Sequence, residues 1–270
     1  MTIQHARAHD YGHLIRRWRS ACRERRLRLQ PYFSASGFEL FFAETRRPDP
    51  ARPWVYLSAG IHGDEPASTE GALEWVVTNP DTVDAVNLLV FPCLNPWGLV
   101  HNSRTDENGR DLNRTYHNDS VPQTAAHRGL LAGRTFDLAL MLHEDYDANG
   151  IYIYELRIRR DAWGEDLIQA AVPHVPIDTR RSIEGRGSRA GIVRRSIRPD
   201  TMPEHPEAFL LHFQCKARTF TIETPSEAHI DARVAAQAAV SEQAVRRTIR
   251  ERTDVSGIYK KRTPRIFSRP

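Results

Sequence analysis

Among the residues able to do chemistry, the densest grouping is Ser58-Ala-Gly-Ile-His62-Gly-Asp-Glu65-Pro66. A short apolar run, Trp54 to Ala59, leads out into Gly60, and His62 and Glu65 follow three positions apart. On a tight turn or the first turn of a helix, that spacing lets an imidazole and a carboxylate face one point. Two ligands of a tetrahedral zinc need this arrangement, at about 2.0–2.2 Å each. An ordinary surface pair has the same spacing, so the reading depends on a third ligand. His143 is the candidate. It follows the apolar run Leu138-Ala-Leu-Met-Leu142 and so falls at a strand's C-terminal edge, where ligands converge. The competing reading is a core histidine bonded to backbone.

Two further groups carry potential chemistry. The stretch Asn95-Pro-Trp-Gly98, Arg104 and Asn108-Gly-Arg-Asp111-Leu-Asn113-Arg114 is rich in turn residues. It also offers the planar forks of Arg104 and Arg114, which clamp or polarise an oxygen-bearing substrate. Asn113 can add an amide to that clamp. Glu223, in Thr221-Ile-Glu-Thr-Pro225, is an acid in an otherwise apolar strand. Such an acid either satisfies a buried arginine or acts as a base with a raised pKa, and the sequence leaves both open.

The elements that must position these groups follow from periodicity. Tyr11 to Leu29 places Leu14, Ile15, Trp18 and Cys22 at helical spacing, predicting an N-terminal helix over about 10–30. Phe38–Thr45, Trp54–Ala59, Asn87–Phe91, Phe136–Leu142, Ile151–Leu156 and Thr219–Thr224 read as strands. Pro66 to Val77 reads as a helix with proline in its first turn. Pro92 to about Asn118 reads as a loop, and an alanine-rich helix closes the chain over about 228–250. Apolar strands alternating with helices predict a single α/β domain over 1–270, with functional groups in loops at strand C-termini.

Composition excludes several classes. The chain has 270 residues, 40% apolar and 27% charged, which is enough apolar matter for one large core and excludes a disordered protein. No apolar run approaches the roughly 20 residues of a membrane span, and no leader pattern opens the chain. Cys22, Cys93 and Cys215 form neither a disulfide framework nor a Cys-x-x-Cys clamp. The expectation is a cytoplasmic protein. The net charge of +4 comes from 38 Lys and Arg, of which only Lys216, Lys260 and Lys261 are lysines. Acids interrupt the basic stretches almost everywhere, so no nucleic-acid partner is expected. The exception is Arg180 to Arg198, with seven arginines against Glu184 alone. A loop so basic either receives an anionic substrate or is simply solvated.

Taken together, the set Gly-x-His-Gly-Asp-Glu, Asn-Pro-x-Gly, Asp-Leu-Asn-Arg, a strand-end His and a late Thr-x-Glu resembles the zinc carboxypeptidase (funnelin) family. The motifs keep the family's order and span Gly60 to Glu223. The resemblance implies a three-layer α/β/α sandwich on a mixed, mainly eight-stranded sheet. It implies one zinc per chain on His62, Glu65 and His143, with Asp111 bonded to the first histidine. It implies that Asn113 and Arg114 hold the substrate carboxylate, that Arg104 stabilises the oxyanion and that Glu223 is the general base and acid. The implied activity is hydrolysis of an amide bond next to a free carboxylate.

Two departures narrow this reading. Seventy-eight positions separate Glu65 from His143, fewer than in the digestive enzymes and closer to compact bacterial murein-peptide amidases, so a cell-wall-type peptide is one expected substrate. The tyrosine that digestive enzymes carry before the catalytic Glu has no counterpart, since none lies between Tyr154 and Glu223. The alternative substrate is an N-acyl amino acid, as in the related aspartoacylases and succinylglutamate desuccinylases, whose anionic acyl groups would suit the arginine-rich loop. Glu144 and Asp145, after His143, read as solvated loop acids, or as acids that brace the site or recruit a second metal. Oligomeric state is left open.

Overall fold

The computed structural model describes residues 5–156, 162–195 and 203–262; Arg198 of the basic stretch and the chain beyond 262 lie outside the described residues. The elements run α1 (Tyr11–Glu24), β1 (Leu27–Ala35), β2 (Phe38–Thr45), β3 (Trp54–Ser58), α2 (Pro66–Thr78), α3 (Pro80–Asp84), β4 (Asn87–Phe91) and α4 (Pro96–His101). There follow α5 (Pro122–Leu131), β5 (Leu138–Asp145), β6 (Tyr152–Leu156), α6 (Gly164–Gln169), β7 (Ser182–Ile183) and β8 (Arg186–Gly187). The chain continues with β9 (Ile192–Arg195), α7 (Glu207–Phe209), β10 (Arg218–Pro225) and α8 (Ile230–Arg262).

Eight strands form one sheet in the order β1-β2-β4-β3-β5-β10-β6-β9, and β7 and β8 pair as a separate hairpin. Strand β3 is parallel to both β4 and β5, and β10 is parallel to β5 but antiparallel to β6. The sheet is therefore mixed. Alternation along each strand sends side chains to opposite faces. Val55, Leu57, Leu138, Leu140, Leu142, Phe220 and Ile222 pack under α1, α2 and α8 with Trp18, Trp75 and Val240. Tyr56, Leu89, Phe91, Ala139 and Met141 face the other way, against Leu131, Phe136, Leu210 and Leu211. Helices on both faces give the three-layer α/β/α sandwich.

The N-terminal helix expected over about 10–30 ends at Glu24, and Leu27 opens an edge strand instead. The reversal is local: Arg26 adopts φ +54, a left-handed conformation that ends the helix. The closing helix expected over about 228–250 runs Ile230–Arg262. The stretch from Pro92 to Asn118 also holds α4, whose first turn is capped by Asn95 Oδ1 accepting from Gly98 N at 2.9 Å.

Candidate metal centre

Strand β3 ends at Ser58, and Gly60 turns the chain with φ +63, where a Cβ would meet Thr69 Cγ2 at 2.7 Å. Gly63 passes so close to α4 that a Cβ there would lie 1.9 Å from the Gly98 carbonyl carbon. This packed turn carries His62 on one side of Gly63 and Glu65, the residue before α2, on the other. Neighbouring β5 delivers His143 and β10 delivers Glu223, the two in direct parallel register. Both belong to the sheet face that carries Met141 and Thr221. All of these groups gather at the C-terminal end of the central parallel strands.

His62, Glu65 and His143 are buried, and their ligand atoms lie within 4.8 Å of one another. His62 Nδ1 is 2.6 Å from Glu65 Oε1, and His143 Nδ1 is 2.9 Å from Glu65 Oε2. That second oxygen is buried yet has no hydrogen bond of acceptable direction. Two imidazole nitrogens and a carboxylate with an unused oxygen, all aimed at one spot, match a three-ligand metal site. Asp111 Oδ1 lies 3.1 Å from His62 Nε2, which fixes the ring with Nδ1 toward the cluster. The sequence-expected site residues His62, Glu65, His143 and Asp111 are therefore brought together.

The electrostatics follow from this crowding. Burial alone would push the His62 imidazole down, but the Glu65 charge and the bonds to Asp111 and Glu65 hold it up at about 9. Glu65 is held well below the ordinary carboxylate range, because the two histidines overrule its burial. Glu223 goes the other way. Burial raises its carboxyl well above the ordinary range, His143 draws it back in part, and Glu65, Glu184 and Asp145 push it further up.

Arg104, half-exposed, reaches over the cluster with Nη1 3.2 Å from His62 Nδ1 and Nη2 3.0 Å from Asp111 Oδ2. Asn113 and Arg114 lie on a single 3-10 turn, Leu112–Arg114, and line the same cavity as Arg104 and Glu223. That cavity has a volume of about 290 Å³. Its wall also holds residues that sequence reasoning read only as strand: Tyr152, in register with Glu223, and Tyr154, in register with Thr221. Tyr152 donates to Asp145 Oδ2 at 2.9 Å, and Tyr154 donates to Glu184. Alternation puts both on one face of the strand, but only the pairing of β6 with β10 makes that face the site's.

Glu144 is a bracing acid, not a solvated one. It is buried, accepts from Ala67 N at 2.6 Å and pairs with Arg233. Its carboxylate thereby caps the N-terminus of α2, where the helix dipole favours negative charge, and ties that helix to β5 and α8. Burial lifts its pKa to about 7 despite Arg233. Within the basic stretch, Arg180 pairs with Asp178 and Arg194 with buried Glu155, while Arg186 and Arg195 line the cavity.

The fold and the site define a metal-dependent hydrolase. The chain matches the succinylglutamate desuccinylase/aspartoacylase catalytic domain over residues 51–195, more than half its length, and belongs to that family. No curated protein sequence matches it. Its fold is shared by a candidate metallopeptidase of Shewanella baltica OS155, at 20% identity and a TM-score of 0.79 over 89% of this chain and 93% of that one. It is shared too by a metallo-carboxypeptidase of Burkholderia cenocepacia, at 15% identity and a TM-score of 0.68 over 91% of this chain and 70% of that one. A metallo-carboxypeptidase of Pseudomonas aeruginosa, solved with (2-guanidinoethylmercapto)succinic acid, aligns at 18% identity with a TM-score of 0.61 over 88% and 69% of the two chains. Among the described residues, no helix is long and apolar enough to cross a membrane.

Proposed function

We propose that the protein is a zinc-dependent amidohydrolase that cleaves an amide bond beside a free carboxylate. The observation that carries this reading is the convergence of His62, Glu65, His143 and Glu223 with Asn113 and Arg114 on one small cavity. His62, Glu65 and His143 would hold the zinc. When bound, zinc supplies Lewis acidity, which polarises a carbonyl and lowers the pKa of water from 15.7 to about 7.

The chain's own residues do the rest. Asn113 and Arg114 bind the substrate carboxylate and orient the scissile carbonyl over the cluster. Arg104 supplies N–H donors to the oxygen that gains negative charge. Glu223, one strand from His143, accepts a proton from the attacking water at a carboxylate oxygen. It then delivers that proton to the leaving nitrogen. Burial and the neighbouring acids favour the protonated form of Glu223, the form it takes between the two transfers.

Two substrate classes follow from the sequence: a carboxypeptidase substrate, such as a cell-wall-type peptide, and a small N-acyl amino acid. The family to which the chain belongs and the cavity of about 290 Å³, at the small end of ligand pockets, favour the second. Metal analysis together with a panel of N-acetyl-aspartate, N-succinyl-glutamate, C-terminal peptides and muropeptides tests both levels. One zinc per chain and turnover lost on chelation is the expected result. A folded protein that binds no zinc would overturn the hydrolase reading, and turnover of muropeptides alone would overturn the preference for small substrates.

A further inference from the structure

We infer that Glu207 is a positioning residue for the carboxylate clamp, holding the Asn113 amide so that its NH2 group faces the cavity. The inference rests on the role proposed above for Asn113. The Glu207 backbone N–H donates to Asn113 Oδ1 at 2.9 Å. An amide whose oxygen is taken in this way turns its nitrogen to the other side, and Asn113 lines the cavity. The NH2 end is the one able to donate to a carboxylate.

The Glu207 side chain keeps that backbone group in place. Pro206, Ala208 and Phe209 line the cavity, whereas Glu207, 1% exposed, turns the opposite way into the core. There it accepts from Tyr56 Oη. Tyr56 has one hydroxyl proton, so at its 3.0 Å contact with His127 Nε2 the histidine donates. Burial drives the pKa of His127 down to about 3, so the ring is neutral with a single N–H. Its Nδ1 therefore accepts from Tyr116 Oη at 2.7 Å. The donors Tyr116, His127 and Tyr56 all point one way and end on Glu207. Tyr116 stands three residues beyond Asn113, and its backbone N–H donates to His205 O at 3.1 Å. The circuit thus closes on itself. It locks the turn bearing Asn113 and Arg114 to the wall segment that carries His205 and Glu207.

A purely structural ring would cost stability when broken without discriminating among substrates. The test is Kd by calorimetry and KM by steady-state assay for N-succinyl-glutamate and its α-carboxamide, with the zinc-loaded protein. Glu207→Leu is expected to weaken the carboxylate ligand about tenfold while changing the carboxamide less than about threefold, with kcat retained. Glu207→Gln, which keeps an acceptor for Tyr56, is expected to stay within about threefold of wild type. In the Asn113→Ala background Glu207→Leu should add nothing, since interacting residues are not additive. Should Glu207→Leu fail to fold, Tyr56→Phe removes the same donor at nearly constant shape and should reproduce the carboxylate-selective loss. Equal losses for both ligands, multiplicative effects with Asn113→Ala, or no loss at all would overturn the inference while leaving the clamp intact. An Asn113→Ala variant with unchanged affinity would remove the clamp itself, and this inference with it.

Discussion

At the scale of single residues, chemistry and support are divided among neighbours. Leu142 points into the apolar layer beneath α2 while His143 reaches the cluster and Glu144 caps the helix that follows Glu65. Three successive residues of one strand thus serve a core, a site and a cap. Glu223→Gln tests the division most cleanly. Removing only the proton-accepting oxygen should leave bound zinc unchanged and lower kcat by about 10²–10⁴-fold, measured by metal content and steady-state kinetics on one preparation. That His62, Glu65 and His143 gather in one place could be read from the chain because residue types able to hold a metal are few and these follow apolar strands. Tyr152 and Glu207 could not. A tyrosine in an apolar strand resembles any core aromatic, and Glu207 acquires meaning only when Tyr56, 151 positions away, closes on it.

At the scale of elements, the turn that carries His62 and Glu65 depends on how closely two backbones approach. Gly63 N donates to Ser103 O at 3.0 Å, and the space for a side chain is taken by Gly98. Gly63→Ala should therefore push α4 away from the turn, lowering Tm by several degrees and reducing zinc retention, both readable by calorimetry with and without added metal. The long buried strands announced themselves as apolar runs. Strand β1 did not, because Leu27-Arg-Leu-Gln-Pro31 is an edge with its charges in solvent, and Pro31 belongs to edges. Nor did the hairpin of β7 and β8, two residues a side, whose turn is made by Glu184 and Gly185 at φ +48 and +71. Ile183 holds it down against Tyr152 and Val193, contacts that no local pattern reveals.

At the scale of the whole molecule, α1 is joined to α2 by a buried acid. Glu70 bonds to His5 Nδ1 at 2.9 Å and to Arg17 Nη1 at 2.7 Å. Burial would raise its pKa, but the two partners overrule burial and hold it at about 2, below an ordinary 4.5. A depressed carboxylate contributes stability that is full above about pH 4.5 and fades as pH falls toward 2. Glu70→Gln should therefore lower stability near neutral pH and flatten the acid limb of the unfolding profile, followed by circular dichroism between pH 2 and 7. The α/β class was legible as alternation of apolar strands and helices and the three-layer sandwich through the family resemblance, whereas strand order was not read, since β10 enters between β5 and β6 only in three dimensions. That insertion has an evolutionary consequence. His143 and Glu223 stand on strands locked mid-sheet, while part of the cavity wall belongs to a separate hairpin (Glu184, Arg186) and to the segment that carries Glu204 and Phe209. Variation in those two rims can redirect the choice of molecule accepted without disturbing the machinery that acts on it.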